Sequence, residues 1–203
     1  MLDGWARRQI DPALDRAARL LVRAGATPNA ITITACLIGL AAAASVAAGY
    51  VLLGLALLLV SRLGDGLDGA VAKITGSTDF GGFLDIVLDF VFYGAIPLGF
   101  VLLDPQANAI AGAVLIFSFY VNGASFLAYA VMAEKRGETS DVRGPKSLFF
   151  TTGLAEATET ILFFIALCLF PAWFPVMAYV FAALTFYTAL SRIVLASRAF
   201  PPD

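Results

Sequence analysis

No histidine occurs among the 203 residues. That excludes imidazole acid–base chemistry and leaves Asp, Glu, Lys, Tyr or Cys to act as a general base. Only two cysteines are present, Cys36 and Cys168. Both fall inside long apolar runs, which argues against a structural disulfide or a zinc site and for small buried side chains. Charge is scarce as well. Asp, Glu, Lys and Arg make up 14% of the chain against 60% hydrophobic residues, far from the balance of a soluble domain. The N-terminus does not read as a cleavable signal peptide, because Asp3, Arg7, Arg8 and Asp11 occupy the place of its apolar stretch.

What is abundant is apolar length. Runs of about 20 residues, enough to cross a bilayer core, recur at roughly 31–50, 51–72, 82–103, 108–133, 148–170 and 173–197. The expected fold is all-α: a polytopic integral membrane protein with six transmembrane helices over 27–203, preceded by an N-terminal amphipathic helix within 1–26. In that first segment Asp11 suits an N-cap, Pro12 the first helical position and Gly25 the position after the last turn. Leu14, Ala17, Ala18 and Leu21 share one face, while Arg16, Arg19 and Arg23 gather opposite. Such a helix suits an anionic membrane surface; packing against the bundle is the alternative. Thr27 or Asn29 can cap the first span.

All 13 basic residues cluster in or beside the N-terminal segment, the connection between spans 2 and 3, that between spans 4 and 5, and the C-terminal end. The positive-inside rule then places both termini and these connections in the cytoplasm, and a bacterial inner membrane is the expected location.

The acidic residues are more telling. Five aspartates and no glutamate fall within the 26 residues DGLDGAVAKITGSTDFGGFLDIVLDF, Asp65 to Phe90. Asp65 and Asp68 are three apart, Asp85 and Asp89 four apart, and both spacings keep side chains on one helix face. The glycine-rich turn between the pairs lets four carboxylates converge near headgroup depth. Uncompensated, such a cluster is very costly, and charge inside a span is usually functional. Hard divalent cations such as Mg²⁺ or Mn²⁺ resolve the conflict, since they take carboxylate oxygens and complete their shell with substrate phosphate. Gly66, Gly69 and Gly81 allow a ligand or another backbone to approach closely, and Lys73 reaches a phosphate as a point charge. Pairing of the carboxylates with Arg62 and Lys73 as interhelical glue is the alternative, but two cations do not neutralise four anions.

Asp65, Asp68, Gly69, Ala72, Lys73, Gly81, Asp85 and Asp89 resemble the signature of the CDP-alcohol phosphotransferase (CDP-alcohol phosphatidyltransferase) family, D-x2-D-G-x2-A-R-x8-G-x3-D-x3-D. Two departures stand out: Lys73 replaces arginine, keeping charge but not the bidentate fork, and seven residues rather than eight precede Gly81. The resemblance implies a transferase of phospholipid synthesis that releases CMP. It implies two metal ions, Mg²⁺ or Mn²⁺, on Asp65, Asp68 and Asp85, with Asp89 deprotonating the acceptor hydroxyl and also touching a metal. It implies a CDP-linked donor around Gly66, Gly69 and Ala72, and a homodimer. Lys73, Gly81 and Asn29 join the donor-site candidates.

A site at headgroup depth suits CDP-diacylglycerol as donor and a small polar alcohol as acceptor; a CDP-amino-alcohol donor with diacylglycerol as acceptor is the alternative within the family. Arg143 and Lys146, beside Lys135 and Arg136, and Arg192 near the end of the last span are candidates for a phosphorylated acceptor. Glu156 and Glu159, three apart in span 5, are candidates for a polyol or amino-alcohol, or else interhelical glue. Asn122 is a further polar contact, while Gly123 and Ser125 suit close helix packing. Outside the family, an ion or solute transporter, an intramembrane prenyltransferase and an inactive binding protein are the competing classes.

Overall fold

The computed structural model describes residues 3–136 and 157–200. Among the described residues seven α-helices follow one another: α1 (Asp3–Arg23), α2 (Pro28–Ala47), α3 (Val51–Thr75), α4 (Asp79–Leu103), α5 (Pro105–Lys135), α6 (Ala157–Leu169) and α7 (Phe174–Ala199), with a 3₁₀ turn at Pro171–Trp173 before α7. Among the described residues, four stretches are long and apolar enough to cross a membrane: Pro28–Ala47, Asp79–Leu103, Pro105–Lys135 and Pro171–Ala199. The 25-residue α3 has the length too, but Arg62, Asp65, Asp68 and Lys73 interrupt its apolar character. The expected fifth span begins outside the described residues, and only its second half is described, as α6.

Local chemistry sets the helix ends. The Thr27 hydroxyl, not Asn29, caps α2 by accepting from the Ala30 amide, with Pro28 next in the chain. Gly25 takes φ +82° after α1, as expected of a residue closing a helix. Asp104 alone separates α4 from α5 and caps the latter, its Oδ1 accepting from the Ala107 amide at 3.1 Å. One expectation fails here. The first helix begins at Asp3 rather than Asp11 and carries Pro12 in its interior. The residues before Pro12 include Ala6, Arg7, Arg8 and Gln9, all good helix formers, and their extension outweighs the hydrogen bond that proline removes. The face containing Leu14, Ala18 and Leu21 packs on Ala70 and Val71 of α3, with Ile31 of α2 alongside. That apolar stripe is therefore spent on the bundle, and Arg16, Arg19 and Arg23 are exposed.

Lipid tails are as apolar as leucine, so helices in a bilayer associate through close packing rather than through expulsion of water. Here α2 packs along both α3 and α4, α5 joins α4 to α7, and α6 lies against α3 and α7. Close approach needs missing side chains: a Cβ at Gly99 would stand 2.6 Å from the Ala43 carbonyl oxygen, and one at Gly54 would stand 3.0 Å from that of Ala42. Aromatic rings fill the remaining core. Phe163 and Phe181 stack at 4.1 Å between centroids, and Phe100 and Phe174 at 5.2 Å. Cys36 and Cys168 are buried as free thiols in this packing, in agreement with their apolar surroundings in the sequence.

Gly99→Ala forces α2 and α4 apart and is expected to cost about 1–3 kcal/mol, read as a lower melting temperature in detergent. Gly94→Ala is the control: nothing lies within 4 Å of the added Cβ, and the gain in helix propensity, up to about 1 kcal/mol, should hold or raise the melting temperature.

Candidate active site

The turn between α3 and α4 is three residues long. Gly76 closes α3 at φ +99°, and the Thr78 hydroxyl caps α4 by accepting from the Gly81 amide at 3.0 Å. α4 therefore starts at Asp79, three residues ahead of the apolar run that marked it in the sequence. Asp65 and Asp68 project from the second half of α3, Asp85 and Asp89 from the first three turns of α4. α2 backs both helices, and its Thr32 lies beside Asp68.

The four aspartates come together in two different ways. One oxygen each of Asp65, Asp68 and Asp85 lies within 4.8 Å of the others. At that separation two unit charges repel by roughly 3 kcal/mol even at an effective dielectric of about 20. Asp68 is only 7% exposed, and its Oδ2 is buried without a hydrogen-bond partner. A hard divalent cation fits this donor set: all ligand atoms are carboxylate oxygens, the orphaned Oδ2 lacks only an electropositive partner, and the mutual repulsion becomes attraction to a common centre. Asp89 is held otherwise. Arg62 Nη1 donates to Asp89 Oδ1 at 2.8 Å and lies 3.4 Å from Asp65 Oδ1. Interhelical pairing with Arg62 is thus present, but it engages only part of the quartet.

The donor-site candidates divide as well. A Cβ at Gly66 would sit 3.0 Å from Leu14, so this glycine admits α1 to α3. Gly69 is exposed, with nothing within 4 Å of an added Cβ. A Cβ at Gly81 would meet Asn29 Oδ1 at 3.1 Å, which places the start of α2 over the start of α4. Ala72 is half-buried and Lys73 exposed in the last turns of α3.

Of the acceptor candidates, Arg143, Lys146 and Glu156 lie outside the described residues. Glu159 stands in the first turn of α6, its Oε2 buried without a hydrogen-bond partner. Arg192 of α7 donates to the Asn122 carbonyl and side-chain oxygens, both at 3.0 Å, and to Ser125 Oγ at 2.7 Å. Ser125, expected in helix packing, is thus a hydrogen-bond partner instead, while Gly123 is packed against the Phe90 ring as expected. Sequence reasoning also gave too small a part to Arg62, whose position three residues before Asp65 was the available signal.

Comparison with known proteins identifies the family. The family model for CDP-alcohol phosphatidyltransferase matches residues 25–190. Inner membrane protein YnjF of Escherichia coli (strain K12) is 45% identical over 95% of this chain and 94% of its own. The archaetidylinositol phosphate synthase of Methanothermobacter thermautotrophicus is 31% identical over 93% of this chain and 88% of its own. Among solved structures, Mycobacterium tuberculosis phosphatidylinositol phosphate synthase with CDP-DAG bound shares the fold at a TM-score of 0.70 and 24% identity, covering 91% of this chain and 93% of the other. The same enzyme in complex with manganese and citrate aligns at 0.68, with 24% identity, over 89% of this chain and 87% of the other. With a family model spanning most of its length and the signature carboxylates drawn together, the chain belongs to the CDP-alcohol phosphatidyltransferase family of enzymes.

Proposed function

We propose that the protein transfers the phosphatidyl group of CDP-diacylglycerol to the hydroxyl of a small polar alcohol and releases CMP. The observation that carries this reading is the convergence of Asp65, Asp68 and Asp85 within 4.8 Å at one end of apolar helices. Lipid tails can remain in the membrane there while the diphosphate meets the acidic cluster. In the proposed reaction Asp89 takes the proton of the acceptor hydroxyl. The acceptor oxygen bonds to the phosphatidyl phosphorus, and the bond from that phosphorus to the bridging oxygen breaks, leaving with CMP. Asp65, Asp68 and Asp85, joined by Asp89, would hold divalent metal, Mg²⁺ or Mn²⁺ in a pair of ions, which would supply charge neutralisation of the diphosphate and of the departing CMP. Lys73, Gly69, Ala72 and Asn29 border the donor, and Gly66 and Gly81 keep the helices around it close together.

For the acceptor, a phosphorylated polyol is the first choice, supported by the name of the 31%-identical relative, archaetidylinositol phosphate synthase. Arg192, fixed by Asn122 and Ser125, and Glu159 are its candidate contacts, with Arg143, Lys146 and Glu156. We read the chain as an N-terminal interfacial segment at headgroup depth (1–26) and a six-span domain (27–203) in a bacterial inner membrane. The site and both termini face the cytoplasm, supported by the distribution of basic residues, and two copies pair in the membrane.

The direct test is purified protein in detergent with Mg²⁺, CDP-diacylglycerol and a panel of alcohols headed by inositol phosphate, with CMP measured. Metal-dependent CMP release that is lost in Asp89→Asn supports the transferase, whereas ion flux without CMP supports a transporter. Asp65→Ala and Asp85→Ala are expected to abolish turnover and to weaken Mn²⁺ binding by more than the ~10–100-fold that loss of an outer-sphere partner costs; metal affinity equal to that of the parent would contradict their assignment. Lys73→Ala should raise the donor KM while Lys73→Arg keeps it, and an unchanged KM in Lys73→Ala would remove Lys73 from the phosphate site.

A further inference from the structure

Arg62 is set into the packing between α2, α3 and α4. It is 8% exposed, and its guanidinium carbon lies 3.7 Å over the centre of the Phe92 ring of α4. Nη2 donates to Ser61 Oγ at 3.2 Å, and Ser61 in turn donates to the Ala35 carbonyl of α2 at 2.7 Å. α2 makes room for this arrangement at Gly39, where a Cβ would lie 2.6 Å from the Phe92 ring and 2.9 Å from Ser61 Oγ. The ring contact and the hydrogen-bond chain leave the guanidinium little freedom. Its Nη1 then stands between the two acidic pairs, 2.8 Å from Asp89 Oδ1 on α4 and 3.4 Å from Asp65 Oδ1 on α3. One fixed positive charge thus bridges a carboxylate of each pair. Lys73, in the last turn of α3, is exposed by contrast, and solvent screens its charge.

A charge so placed acts in two directions. In the metal-free protein it offsets the repulsion among the carboxylates and ties α3 to α4. Toward a divalent ion on the same carboxylates it is repulsive, because the Phe92 ring and Ser61 anchor it beside them independently of its acidic partners. We infer that Arg62 is a built-in counter-cation of the cluster: it holds the two acidic pairs together before metal arrives and lowers the affinity with which they take a divalent ion. The weaker hold of the empty site leaves part of the metal binding to the substrate diphosphate, which brings negative charge of its own. This inference rests on the reading of the carboxylates as a divalent-metal site, and it holds whichever of the four ligate the ions.

The test compares the parent with Arg62→Gln and Arg62→Lys in detergent. It measures Mn²⁺ affinity by calorimetry without substrate, and the melting temperature of chelator-stripped and of Mn²⁺-saturated protein. Arg62→Gln should lower the melting temperature of the stripped protein by about 10 °C, the scale of a broken buried ion pair. It should bind Mn²⁺ about tenfold more tightly, the scale of one unit charge acting on a divalent ion across a partly solvated site. Saturating Mn²⁺ should therefore raise its melting temperature by about 4 °C more than it raises that of the parent. Arg62→Lys keeps the charge without the fork, so the stripped protein should melt lower while its Mn²⁺ affinity stays within about threefold of the parent. This second variant decides the matter if Arg62→Gln folds neither with metal nor without. Unchanged or weaker Mn²⁺ affinity in Arg62→Gln, or affinity weakened beyond that threefold in Arg62→Lys, would show an arginine that merely shapes the site and overturn the inference. So would a parent-like melting temperature in stripped Arg62→Gln. A parent that binds no Mn²⁺ would overturn the metal-site reading itself; a metal-binding parent matched by Arg62→Gln would overturn only the role of Arg62.

Discussion

Four carboxylates at the end of an apolar bundle repel one another, and the arrangement of α2, α3 and α4 answers that repulsion. Removing charge from water is expensive, and like charges gathered together add to the cost. The protein offsets part of it with the Arg62 guanidinium, placed where it reaches Asp65 and Asp89. Asp65, Asp68 and Asp85 still bring one oxygen each within 4.8 Å of the others. Such a cluster is poised to take up a divalent cation, and with it an anionic diphosphate.

Rigidity follows from how the helices meet. Glycines at the crossings of α2 with α3 and α4 bring backbones nearly into contact, and this closeness fixes the relative height of the two acidic pairs. A shift of one residue along either helix would rotate a carboxylate out of the cluster by about 100°. The Phe92–Arg62–Asp89 stack adds a second lock near the membrane side of the site. In this way packing inside the bilayer, rather than the exposed turn of residues 76–78, sets the geometry of the chemistry.

The spacing of the aspartates was legible in the sequence because helical periodicity is local: three and four residues fix a face whatever surrounds it. The family signature was legible for the same reason, and the spans Pro28–Ala47 and Asp79–Leu103 followed from apolar length. What depends on register between helices was not. Arg62 was weighed only as a general counter-charge, since nothing in one chain shows which carboxylate of a facing helix lies at its height. Gly66 read as room for a ligand, yet Leu14 of α1 occupies that side. Ser125 read as packing, yet it meets Arg192 across 67 residues of sequence. Asp11 and Pro12 read as the start of α1, yet the helix formers before them extend the helix back to Asp3.

The claim at the centre of this account is that Asp65, Asp68 and Asp85 bind hard metal. A crystal structure of the protein grown with Mn²⁺ and read by anomalous scattering tests it directly. The account predicts anomalous peaks about 2.0–2.5 Å from oxygens of Asp65, Asp68 and Asp85. Peaks absent from that cluster would contradict it.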